Sequence, residues 1–163
     1  MAGESSFDVV SDFDHQELVN AVDQVQREVR TRYDFKGTRA ALELGKTAIT
    51  LTADDEYRAG ALKDLLETKA LRRGLSLKIF DWGRVEPAAG GTVRQTIGLR
   101  RGLSVEQAKE LSREVRERFP KTKPVIQGNA LRVSAKSKDD LQAVIRHLRE
   151  LDYPVALQFE NYR

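Results

Sequence analysis

One heptad occurs twice in this chain, and that constrains the fold more than any other feature. Arg27-Glu28-Val29-Arg30-Thr31-Arg32-Tyr33 returns as Arg113-Glu114-Val115-Arg116-Glu117-Arg118-Phe119, identical at five of seven positions and aromatic at the last in both copies. Arg/Glu heptads can coincide by chance in helices, so the flanks decide whether the chain is a duplication. Both flanks agree. Upstream of each copy a strand-like run, residues 7–10 and 95–99, leads into a helix start. Asp14 with Glu17, and Ser104 with Gln107, have capping-box spacing, in which the cap side chain and the residue three positions on satisfy free amides reciprocally. The periodicity predicts a buried stripe of Leu18, Val22, Val25 and Val29 in the first copy, and of Val105, Ala108, Leu111 and Val115 in the second.

Downstream, each copy carries two alternating runs joined by a glycine turn. Residues 40–44 and 47–51 flank Gly45-Lys46, and residues 125–127 and 130–133 flank Gly128-Asn129, so both read as hairpins. A second helix follows over 55–72 and over 137–151, with stripes Leu62, Leu65, Leu66 and Leu141, Val144, Ile145, Leu148. A closing strand is expected at 77–80 and at 155–159. The order β-α-β-β-α-β, given twice, is the ferredoxin-like arrangement: an α+β fold with a four-stranded sheet and two helices on one face. Sequence order divides the chain into a first repeat (1–82), a Gly/Ala/Pro-rich flexible linker (83–92) and a second repeat (93–163). Repeats of about 75 residues are near the lower limit for an independent core, so the two are expected to support one another. The sheet face away from the helices calls for a partner, either the other repeat or a ligand.

Composition narrows the function classes. No apolar run approaches the length of a membrane span, and the first six residues show no basic stretch followed by an apolar one. A cytoplasmic protein is the expectation. With no cysteine, the chain lacks disulfides, thiolate metal sites and cysteine nucleophiles. It has two histidines, His15 and His147, in different helical patterns, which restricts metal sites and imidazole acid–base chemistry. The net charge of +3 is unevenly spread along the sequence: residues 1–86 carry 13 Lys/Arg and 16 Asp/Glu, residues 87–163 carry 15 and 9. A basic second half suggests a phosphate-bearing partner, although a solvated Lys/Arg-rich surface accounts for it too.

Gly45-Lys46-Thr47 resembles the end of a phosphate-binding P-loop, but Ala40 stands where that pattern has glycine, and a strand rather than a helix follows. Asp54-Asp55-Glu56 and Asp139-Asp140 open helices, where acids cap free amides and oppose the dipole. No serine, threonine or tyrosine has a base with an orienting partner beside it in sequence, so we expect no catalytic residue, metal or cofactor, and no enzyme. Base stacking on sheet aromatics, the RNA-recognition mode of ferredoxin-like domains, is disfavoured because residues 47–53 and 130–136 contain no aromatic. What remains is a basic set assigned to the second repeat: Arg94, Arg100, Arg101, Lys121, Lys123, Arg132, Lys136, Lys138 and Arg163. Guanidinium forks suit phosphates and the O6/N7 edge of guanine. The loop 32–38, with Tyr33, Phe35, Lys36 and Gly37, reads as a stapled helix exit or as a stacking and phosphate-contacting loop. The residues proposed to contact a phosphate or stack a base are Tyr33, Phe35, Lys36, Arg94, Arg100, Arg132, Lys136 and Lys138. A protein scaffold whose charge serves only solubility is the alternative.

Several segments in order closely resemble the YajQ family of small bacterial proteins. They are residues 6–11 (SFDVVS), 32–37 (RYDFKG), 126–128 (IQG) with Arg132-Val133, 138–142 (KDDLQ) and 157–163 (LQFENYR). Arg101-Gly102 departs from the family's usual Gln-Gly, and the 83–92 stretch is unusually rich in Ala and Gly. The resemblance implies two ferredoxin-like domains in tandem whose leading strands, residues 6–11 and 94–99, are exchanged between the sheets. It also implies a non-enzymatic nucleotide- or nucleic-acid-binding protein. The ligand would be a guanine nucleotide such as cyclic di-GMP, or RNA, and the partner a transcription regulator.

Overall fold

The computed structural model describes residues 3–163; Met1 and Ala2, the first residues of the stretch read for a leader and of the first repeat, lie outside them. The chain runs β1 (Ser5–Val10), α1 (His15–Thr31), β2 (Ala41–Leu44), β3 (Ala48–Ala53), α2 (Glu56–Arg72), β4 (Phe80–Pro87), β5 (Val93–Leu99), α3 (Val105–Arg118), β6 (Lys123–Gln127), β7 (Ala130–Ala135), α4 (Lys138–Glu150) and β8 (Gln158–Glu160). This is the α+β duplication read from the repeat. Among the described residues no helix is long and apolar enough to cross a membrane.

The helices form where their caps and stripes dictate. Asp14, Asp55, Ser104 and Ser137 each accept backbone amides at a helix start. Ser104 and Gln107 complete the reciprocal box. Asp14 and Glu17 do not, because the Glu17 carboxylate is taken by Asn20 and Arg73 instead. The expected stripes are buried, with one correction: Val105 is 62% exposed. As the first helical residue after its cap, it precedes the turn that packs on the sheet.

The duplicated heptad has a physical reason in the fold. In the first copy Glu28 pairs with Arg32 one turn on and reaches Lys69 of α2 at 3.1 Å. In the second, Glu114 pairs with Arg118 one turn on and reaches His147 of α4 at 2.6 Å. The same glutamate ties each first helix to its second, and the His147 hydrogen bond holds the Glu114 carboxyl below its ordinary range.

The strands do not pair in sequence order. One sheet has the order β6-β7-β1-β8 and the other β2-β3-β5-β4, antiparallel throughout. β1 thus lies in the sheet of the second repeat and β5 in that of the first, so the leading strands are exchanged. The chain accordingly divides into one unit of residues 1–12 and 101–163 and another of 13–100. In the former, Phe7 and Val9 of β1 are fully buried in a core with Leu131, Val133, Leu111 and Leu148.

Exchange also removes the charge asymmetry. Grouped by unit, residues 1–12 with 101–163 carry 13 Lys/Arg against 12 acids, and residues 13–100 carry 15 against 13. The strongly basic half exists only along the sequence. Residues 83–92, which the composition reads as a flexible linker, are the second half of β4 and its turn into β5, paired from Val85↔Gln95 to Pro87↔Val93. The closing strands are also displaced. Residues 77–79 form a 3-10 turn, so β4 begins at Phe80, and β8 covers only Gln158–Glu160.

Exchange sets the fragments that can fold. Residues 13–100 contain a complete four-stranded sheet with both helices, whereas 93–163 lack the strand between β7 and β8. We expect residues 13–100, expressed alone, to give a dispersed amide NMR spectrum, and residues 93–163 to remain unfolded until supplied with a peptide of residues 3–12. A dispersed spectrum from 93–163 alone would contradict the exchange.

Candidate functional site

The structure divides the expected site residues between the two units. Arg132, Lys136 and Lys138 lie in the unit built on β1, while Tyr33, Phe35, Lys36, Arg94 and Arg100 lie in the other. The single basic face expected around the second repeat's sheet is therefore not one face of one sheet, because β5 carries Arg94 and Arg100 into the sheet of the first repeat.

Two of the arginines are already engaged. Arg132 donates from Nε to Asp8 Oδ1 at 2.9 Å and from Nη2 to Asp8 Oδ2 at 3.4 Å, directly across the β1–β7 ladder. The Asn161 carboxamide donates to the same carboxylate at 2.9 Å. Asn161 reaches it from a left-handed backbone conformation (φ 56°) that asparagine tolerates better than most residues. Asp8 is 7% exposed, and its hydrogen bond from Arg132 holds the carboxyl below its usual range despite the opposing effect of burial. Arg100 reaches Asp81 at 3.4 Å. Arg94 is exposed on β5, opposite Thr52 and Glu86. Lys136 and Lys138 are exposed at the start of α4. Arg132 is thus tied through Nε and Nη2 to Asp8 on the helix-free face of its sheet.

The loop after α1 gathers the rest. Phe35 is 2% exposed with the Arg32 guanidinium over its ring, so it is a core staple and not a stacking surface. The tight exit is closed by the Phe35 and Lys36 amides donating to the Arg32 carbonyl, with Gly37 at φ 78°. Tyr33 does the opposite of its repeat counterpart. Phe119 packs half-buried against the His147 ring at 5.7 Å, whereas Tyr33 is 97% exposed.

Beside Tyr33 lies an open groove of about 500 Å³ between the loop and the first turn of α2. Tyr33, Lys36 and Thr38 line one side, and Tyr57 and Arg58 the other. Tyr57 is 85% exposed and Arg58 pairs with the cap residue Asp55 at 2.6 Å. The Arg58 amide and guanidinium hold the Asp55 carboxyl below its ordinary range. Lys36 makes no ion pair in the described structure. Two solvent-facing phenol rings around cations form a surface on which a planar base can stack while its phosphate meets a free ammonium.

The sequence reading missed Tyr57 and Arg58. Their signal is an aromatic in the exposed first turn of a helix, where the equivalent positions of α4 hold Asp139 and Asp140. Only the fold brings them opposite Tyr33.

Two ferredoxin-like units with exchanged leading strands define the architectural class. The family model described as "Nucleotide-binding protein YajQ-like" matches residues 5–163. Curated relatives match end to end. One from Synechococcus elongatus is 58% identical over the whole of both chains, one from Chloroflexus aggregans is 58% identical over the whole of both, and one from Trichodesmium erythraeum is 52% identical over the whole of both. Each is named a nucleotide-binding protein. The chain belongs to the YajQ-like family.

The Asp8 network gives a pH signature. The folded carboxyl titrates below its unfolded value near 3.8, so its stabilisation is complete above that value and drains away as pH falls through the folded one. Asp8→Asn should cost about 1.5–3 kcal/mol at pH 7, the range for hydrogen bonds to charged groups. Urea melts between pH 7 and 2.5 should show a shallower acid loss in the variant than in the parent. Parallel pH profiles would show that the pair does not stabilise the fold.

Proposed function

We propose that this protein binds a nucleotide, and that the Tyr33–Tyr57 groove is where it does so. The observation that carries this is the pair of almost fully exposed tyrosines facing a shared groove beside an unpaired lysine. A large aromatic left in water gains by covering its face, and nucleic-acid bases are suitable planar partners because each has a π surface. Tyr33 or Tyr57 would stack the base, with Lys36 on the phosphate and Arg58 joining when it turns from Asp55. The names of the full-length relatives support a nucleotide as the ligand, and binding rather than catalysis as the role.

Within that reading the ligand is a guanine nucleotide such as cyclic di-GMP, and the bound protein acts on transcription through a partner regulator; the resemblance of the sequence motifs supports this choice. The openness of the groove favours a second reading, single-stranded RNA running across both tyrosines. Salt separates the two. A small nucleotide contacts one or two phosphates, whereas an oligonucleotide loses affinity steeply and linearly on a log–log salt plot.

Calorimetric titration with cyclic di-GMP, GTP and a short oligo-RNA at two salt concentrations tests both. We expect Tyr33→Ala and Tyr57→Ala each to weaken binding roughly tenfold, the lower part of the range for a stacked base. Lys36→Ala should weaken it and flatten the salt dependence. Arg132→Ala should lower stability and leave affinity unchanged. Loss of binding in Arg132→Ala with full binding in both tyrosine variants would move the site to the β1–β7 sheet face.

A further inference from the structure

A second groove lies on the other flank of the 13–100 unit, between α1 and the outer edge of β2. It has a volume of about 560 Å³, with Val19 and Val22 of α1 and Leu42 and Leu44 of β2 among its lining residues. Of the four sheet edges, three carry features that discourage further strand pairing. β4 has a bulge between Trp82 and Val85 and ends in Pro87. β8 is three residues long. β6 carries Pro124, and the two-residue turn Gly128-Asn129 makes Gln127↔Ala130 and Val125↔Arg132 the hydrogen-bonded pairs. Pro124 therefore falls at an outward position, where it removes a donor from the edge.

β2 is also short, at four residues, but has neither bulge nor proline. Gly45 donates its amide to the Ala48 carbonyl at 2.8 Å, which makes this the hydrogen-bonded pair at the hairpin end. Alternation along the ladder then turns the N–H and C=O of Leu42 and Leu44 away from β3, toward the groove. Leu42 is buried and Leu44 partly exposed, so the accessible part of this edge lies at its hairpin end; an edge strand beside a helix is the geometry in which an extended peptide adds as a further strand.

We propose that this edge docks an extended segment of a protein partner with the pattern apolar–basic–apolar. The alternation of a strand dictates the pattern. In an antiparallel addition, residues opposite Leu42 and Leu44 share the helix-side face and meet Val19 and Val22, so they are apolar. The residue between them shares the other face with exposed Glu43, whose carboxylate selects lysine or arginine. Asp23 also lines the groove and favours the same charge, whereas Lys46 lines it at the hairpin turn, beyond the Glu43 position.

The test is a selection of random decapeptides displayed on phage against the immobilised full chain. The expected outcome is enrichment of apolar–Lys/Arg–apolar sequences. Synthetic versions should lose at least tenfold in affinity against Glu43→Lys, and regain it when their central residue becomes glutamate. Leu44→Pro, which removes an outward-pointing donor without touching the β2–β3 ladder, should abolish binding while circular dichroism stays unchanged. Failure to enrich an alternating sequence, or selected peptides that bind both variants undiminished, would overturn the proposal. Nucleotide titrations of the Glu43→Lys variant should match the parent, which keeps this site separable from the tyrosine groove.

Discussion

The fold depends on antiparallel pairing between β1 and its two neighbours, β7 and β8, which come from the far end of the sequence. Phe7 and Val9 supply fully buried apolar surface at the middle of that sheet, and their backbone closes two ladders at once. A central strand contributes on both edges and on the helix-side face, so its loss would open the core and leave rows of amides unpaired. Phe159 and Tyr162 pack around Phe7 from the C-terminal segment, which ties the last residues of the chain to nearly the first. The exchange of β1 and β5 makes each unit dependent on chain contributed from outside its own repeat.

That constraint shapes where recognition can occur. On the helix-free face of the β1-containing sheet, the central pairing places Asp8 against Arg132, and Asn161 completes the carboxylate's partners. Two opposite charges satisfied by each other at low exposure hold register well, because a one-residue slip would leave both unpaired. In the other unit the duplicated frame was kept and its surface changed. Glu28 still binds the neighbouring helix as Glu114 does, but the aromatic that ends the heptad turns to solvent instead of packing. A rigid scaffold carrying a loop with an exposed ring is a common way for a fold to acquire a binding function without disturbing its core.

The two proposed surfaces, an aromatic–cationic groove at the α2 start and a strand edge beside α1, lie on one unit. They use different physics. Stacking and charge are what a nucleotide would use at the first, and backbone hydrogen bonds with alternate side chains are what a peptide would use at the second.

The heptad repeat, the capping residues and the apolar stripes were enough to establish the element order, the limits of the second helix in each copy within a residue, and the buried helix faces apart from Val105, because those signals act over a few residues. Tyr33 and Lys36 stood out for the same reason, as an unusual local cluster. Strand exchange was not legible in the periodicity, since β1 and β5 have equivalent patterns and either could complete either sheet. It entered only through resemblance, and the tertiary structure decided it by pairing Asp8 with Arg132 and burying Phe7 against the second repeat's helices. That decision dissolved the basic half into two nearly balanced units and turned the 83–92 stretch into a paired strand and its turn. It took up Arg132 in an ion pair, sent Phe35 into the core, and set Tyr57 across from Tyr33. These outcomes depend on which segments meet across long separations, and no local pattern of side chains encodes that meeting.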